Sequence, residues 1–287
     1  MDNDNLSDFK AEVFLDNMDL RDVVDPIVLD ADTQLTRLTK SEEDEFSSLP
    51  STDRRRLILY REKALLNCPD AKSLGDFQNK VAYRMWRLVT CLRLLKSGCV
   101  GELEIRYHYS MSQQPKGFRI NTMWGELASS GLGAPYTLTN SDLDALRALW
   151  QKIRKLEPAP ALRTSLYYFN SAYSKPEAHY KLVDSVISAE SLFCIPSEQR
   201  FRVALYISRL VGTNSDERKM IFDHMKKAYD ARCKIVHGRS PESIPLGVYP
   251  RLVTDTEEFM RRAIRKAVEL GLSGQELQTK LDTYLLT

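Results

Sequence analysis

The sequence has no apolar run approaching the ~18 residues of a membrane-spanning helix, so a transmembrane segment is not expected. It also lacks a cysteine framework. Cys68, Cys91, Cys99, Cys194 and Cys233 are odd in number, and no two are spaced as Cys-x-x-Cys. That pattern argues against a zinc ribbon or a disulfide scaffold and fits a reducing cytoplasm. Histidine is scarce, and His108, His179 and His224 are scattered, so no metal site and no cofactor are expected. The acidic, polar N-terminus carries no signal-peptide pattern. A formal charge of +2 argues against a basic polymer-coating protein, so any nucleic-acid contact must come from a local patch. No internal repeat is visible. These absences together predict a soluble cytoplasmic protein.

What is present is a chain of 287 residues, 43% of them hydrophobic, enough for one large domain or two modest ones. Residues 1–40 are acid-rich, and Val13-Phe14-Leu15 and Ile27-Val28-Leu29 read as short strands or partner-facing pieces. Ser41-Glu42-Glu43 starts a short helix, and Ser51-Thr52-Asp53 caps another through Leu66. Val81, Met85, Leu88, Leu92 and Leu95 recur at helical spacing over 76–96, and Gly98 stops the run. The period then changes. Leu103, Ile105, Tyr107 and Tyr109 alternate with polar residues, as do Phe118 and Ile120, which predicts a hairpin. Ser141 caps a helix that carries Leu143, Leu146, Leu149, Ile153 and Leu156. Pro158-Ala159-Pro160 breaks it and sets the expected domain boundary. Helices are expected at about 161–173, 178–193, 197–211, 215–237, 249–270 and 273–285, joined by short connections. The predicted fold is mainly α: a C-terminal helical bundle, 158–287, preceded by a smaller mixed α/β region, 1–157, with a hairpin.

The residues that suggest chemistry lie at the end of the helix over 215–237. Ile221, Met225, Ala228, Arg232 and Ile235 fall at steps of four, three, four and three, one buried face. Arg232 stands where an apolar residue is expected, and a guanidinium there is costly unless it is paired or borders a polar cleft. His237 precedes Gly238, the usual residue past a helix end, and meets the negative pole of the helix dipole. On the helix over 178–193, Glu190 borders the stripe of Leu182, Val186, Ala189 and Phe193. A carboxylate and a guanidinium so placed are natural partners.

Arg232, four intervening residues and His237, at the end of a bundle helix, resemble the Arg-x4-6-His motif of the HEPN superfamily. The string from Tyr229 to Gly238, with the upstream string from Leu182 to Phe193, is similar to the Apea-like branch in particular, and the resemblance covers roughly 160–270. It implies a dimeric, metal-independent endoribonuclease in which two Arg/His motifs share one cleft. Arg232 and His237 would be its catalytic residues, with Glu190 orienting Arg232. Cys233 stands where these ribonucleases often carry a polar residue, and a thiol is a weak donor and acceptor. Lys234 and Arg239, with Lys226 and Lys227, surround the motif and form either an RNA track or a solvated face. By analogy the chain belongs to a defence or toxin system, with 1–157, or a regulatory protein partner, as restraint or trigger.

Blander readings stand beside this one. Arg232 can pair with a core carboxylate or snorkel, His237 can be a favourable C-terminal charge, and Cys233 a small buried residue. The alternative function is a catalytically silent helical module that binds RNA or a protein.

Overall fold

The structure, a computed structural model, describes residues 6–20, 22–23, 25–47, 62–111, 122–123, 134–195, 197–238 and 249–283. The chain divides into two compact units, Met1–Arg154 and Lys155–Thr287. Among the described residues no helix is long and apolar enough to cross a membrane.

The first unit is built on a six-stranded antiparallel sheet. Its strands are β1 (Leu6–Asp16), β3 (Ile27–Asp30), β4 (Thr33–Arg37), β5 (Glu62–Asn67), β6 (Gly101–Met111) and β7 (Thr122–Met123), in the order β3-β4-β5-β1-β6-β7. A separate parallel pair joins β2 (Met18–Asp19) to β8 (Tyr136–Thr137). Helix α1 spans Lys40–Ser47, α2 Leu74–Leu95 and α3 Leu143–Ile153. Ser73 caps α2 by accepting from the Asp76 amide. The apolar face of α2 lies on the sheet, where Phe77 stacks 4.9 Å from Phe9 and edge-on at 5.4 Å from Tyr107. Gly98, at φ 135, ends this segment, and a Cβ there would meet the Tyr136 backbone at 2.9 Å.

One expectation changes here, and another falls outside the described residues. The helix expected through Leu66 is, over Glu62–Asn67, the interior strand β5, paired with β1 on one side and β4 on the other. Ala64 and Leu66 are fully buried while Leu65 between them is half-buried, so packing in a sheet interior overrides the helix propensity of Glu-Lys-Ala-Leu-Leu. Its expected cap at Ser51 lies outside the described residues. The strand expected around Phe118 and Ile120 also lies outside them; the described partner of β6 on that side is Thr122–Met123.

The second unit is a helical bundle of α4 (Pro160–Ser174), α5 (Ala178–Phe193), α6 (Gln199–Val211), α7 (Ser215–Val236), α8 (Tyr249–Leu270) and α9 (Gly274–Thr283). Proline at the first position of α4 suits a helix start, where its missing N–H costs nothing. Helix α5 is central and packs against all five others. Leu182 and Val186 of α5, Ala228 and Ala231 of α7, and Leu252 and Val253 of α8 make one buried cluster. It holds α7 against α5 and thereby positions the end of α7.

Candidate functional site

Helix α7 is fixed at its start by a double cap. Asn214 accepts from the Glu217 amide, while the Glu217 carboxylate accepts from the Thr213 amide at 2.7 Å and its hydroxyl at 2.6 Å. Its other oxygen takes the Arg262 guanidinium of α8 at 2.8 Å. These bonds hold the Glu217 carboxyl down to about 2. The helix ends at His237, whose amide still donates to the Cys233 carbonyl at 3.1 Å, and Gly238 follows at φ 70.

One turn before that end, Arg232 Nη2 donates to Glu190 Oε2 at 3.3 Å, joining α7 to α5. Both side chains are partly covered, with 21% and 15% of their surface exposed. The contact is single and not a bidentate fork. Arg232 Nε and Glu190 Oε1 are buried without a hydrogen-bond partner. Burial pushes the Glu190 carboxyl above its ordinary value, against the opposing pull of Arg232 and the Tyr229 hydroxyl. The Arg232 guanidinium also lies 5.9 Å from the Tyr229 ring centroid. Tyr229 donates to Gln199 Oε1 of α6 at 2.9 Å. Burial, then the neighbouring Glu190 carboxylate, pushes its hydroxyl up to about 12, so it is a donor at neutral pH.

The remaining expected site residues are placed differently. His237 is exposed, and its side chain has no hydrogen-bond, ion-pair or ring partner among the described residues. It lies five positions after Arg232, about 140° around a helix at ~100° per residue. The imidazole and the guanidinium therefore leave α7 in different directions. Cys233 is half-buried and a free thiol, Lys234 is exposed in the last turn, and Arg239 lies outside the described residues. Sequence reasoning missed Tyr229 and Gln199 as members of the site. It also missed the fork from Arg200 to Asp230, at 2.5 and 2.6 Å, which straps α6 to α7 beside it. Tyr229 had a signal: it precedes Arg232 by three residues, one turn back on α7. Among the described residues no group of three or more His, Cys, Asp or Glu is arranged to hold a metal ion.

The arrangement offers a half-buried cation tethered by one bond, with a free imidazole a turn beyond it. Such a cation can stabilise an anion and the imidazole can carry a proton. Comparison with protein-family models, curated proteins and solved structures returns no match to this chain.

Proposed function

We propose that the protein is a HEPN-like endoribonuclease of a defence or toxin type, acting in the cytoplasm and cleaving RNA without a metal ion. The observation that carries this reading is the pairing of Arg232 to Glu190 at 3.3 Å, one turn before an exposed, uncommitted His237 at the helix end. In the proposed reaction the ribose 2′-oxygen attacks the adjacent phosphorus while a base removes its proton. The bond to the 5′-oxygen breaks, and an acid protonates that leaving oxygen. The products are a 2′,3′-cyclic phosphate and a 5′-hydroxyl. Arg232 stabilises the extra charge on the phosphoryl oxygens, and Glu190 positions it. One chain supplies one His237, so the acid and the base come from two copies related by a two-fold axis.

The test is incubation of purified protein with total RNA in excess EDTA, with end mapping. Cleavage is expected to persist. His237→Ala is expected to lose at least ~100-fold in rate, the lower end for one acid–base group, while its circular dichroism stays unchanged. Cutting that vanishes on chelation and returns with magnesium overturns the mechanism. A fully active His237→Ala protein overturns the nuclease reading.

A second reading rests on the divergence of Arg232 and His237 around α7, which keeps the cation and the imidazole of a single chain from facing one phosphate. On that reading the unit is a catalytically silent module that binds RNA or a protein.

A further inference from the structure

An open groove of about 500 Å³ runs between α6 and α7, away from the Arg232–Glu190 contact. Two of the residues that line it are aromatic. Phe201 is 51% exposed, and its ring meets Phe222 at 5.6 Å and 80°. The rim is cationic. Arg209, Arg218 and Lys219 line the groove, and none of its lining residues is acidic. Lys226 adds a further charge, with its Nζ 5.2 Å from the Phe222 centroid.

The nearby carboxylates do not cancel these charges. Helix α6 contains no acidic residue. On α7, Glu217 is bonded to Thr213 and Arg262, and Asp230 is forked by Arg200. Asp216 and Asp223 lie one turn from Lys219, and Asp223 one turn from Lys226, but among the described residues neither carboxylate is within ion-pair distance of those lysines. Arg218 is partly committed, since its Nε donates to the Gly212 carbonyl at 3.1 Å. That leaves Arg209, Lys219 and Lys226 to face an incoming anion.

We propose that this groove binds a single strand of RNA, with a base stacked on the Phe201–Phe222 pair and phosphates on Arg209, Lys219 and Lys226. Two features favour a nucleic acid over a protein segment. The groove is shallow and offers ring faces, whereas an apolar protein anchor needs a desolvated pocket. Aromatic plates between cations are the pattern on which unpaired bases stack and backbones are neutralised. The groove is also in line with His237, though not with Arg232. At ~100° per residue, Lys219, Phe222, Lys226, Cys233 and His237 lie within about 60° of one another on α7. His237 lies fifteen residues beyond Phe222, about 22 Å along the axis. A strand seated on the phenylalanines and running along α7 reaches the imidazole. The choice of RNA rests on the nuclease reading of Arg232 and His237; the groove's own chemistry stands apart from it.

The test is fluorescence anisotropy of the full chain with a labelled, single-stranded pyrimidine oligonucleotide carrying 2′-O-methyl groups. That probe has no free 2′-hydroxyl, so binding is read independently of cleavage. Phe201→Leu keeps an exposed apolar side chain and removes the ring; it is expected to raise the Kd about tenfold or more, and Phe201→Trp to restore binding. Arg209→Gln and Lys219→Gln are each expected to reduce the salt slope of log K by about 0.7. Wild-type affinity in Phe201→Leu overturns the proposal. So does a wild-type protein that ignores the oligonucleotide and binds an acidic Glu/Leu peptide through Phe201, which makes the groove a protein-docking site. Ring-dependent binding in a protein that never cleaves RNA sustains the groove and sinks the nuclease. Cleavage that depends on His237 with no effect of Phe201→Leu on binding does the reverse.

Discussion

At the scale of single residues the half-buried pair decides most. A fully exposed ion pair contributes at most about 1 kcal/mol, whereas breaking a buried one costs ~3–5 kcal/mol. Arg232 and Glu190 lie between, with 21% and 15% exposure and one 3.3 Å bond. Glu190→Ala is therefore expected to cost about 1–3 kcal/mol in urea unfolding, because it strands the Arg232 charge. The pH dependence has a definite sign. Burial raises the folded-state value of Glu190, so the folded protein binds its proton more readily than the unfolded chain. As pH falls through that raised value to the ordinary carboxylate range, this residue's contribution to stability rises. Glu190→Gln is expected to flatten that rise, and a steeper slope in the variant would refute the assignment. The contact itself was legible, because Arg232 interrupts one apolar stripe and Glu190 borders another. Tyr229 and Gln199 were not. A tyrosine on an apolar stripe looks like packing, and the hydroxyl's partner sits thirty residues away on α6.

At the scale of elements, legibility follows how local the forces are. Helix α7 could be read from the sequence because it combines a 3.6-residue stripe with a cap at Asn214 and a stop at Gly238, and α5 from its stripe alone. Strand β5 could not, since only its neighbours β1 and β4 make a strand of a helix-favouring string. The start of α7 gives a quantitative test. Glu217 is held down to about 2 by Thr213 and Arg262, below its ordinary 4.5. A lowered folded-state value means stability fully present above about 4.5 and lost as pH falls through about 2. Glu217→Gln keeps the shape and loses the charge. It is expected to cost about 0.3–1 kcal/mol near neutrality, the usual worth of a negative charge in a helix's first turn. The gap to wild type in thermal unfolding is expected to close between pH 4.5 and 2. A gap that stays constant across that window would show that the carboxylate's charge contributes nothing.

At the scale of the whole molecule, the near-neutral formal charge of +2 conceals a local asymmetry, since the groove between α6 and α7 is lined by three cations and no carboxylate. A local cluster of cations attracts anions to that face whatever the net charge of the chain. The same face of α7 ends at His237, which is exposed and has no side-chain partner among the described residues. If the reaction needs both an acid and a base, a second copy must bring the second imidazole to the same cleft, and a two-fold axis does so with no further residue. That arrangement predicts a mixing experiment. Wild-type and His237→Ala chains are co-expressed in equal amounts with different tags, and activity is measured per wild-type chain. Random pairing leaves about a quarter of the dimers with two imidazoles, so activity per wild-type chain is expected to fall by about half. Excess mutant chain should suppress it further. Activity per wild-type chain that does not change with mutant dose would mean that each chain works alone, and the composite site would have to be abandoned even if cleavage itself were real.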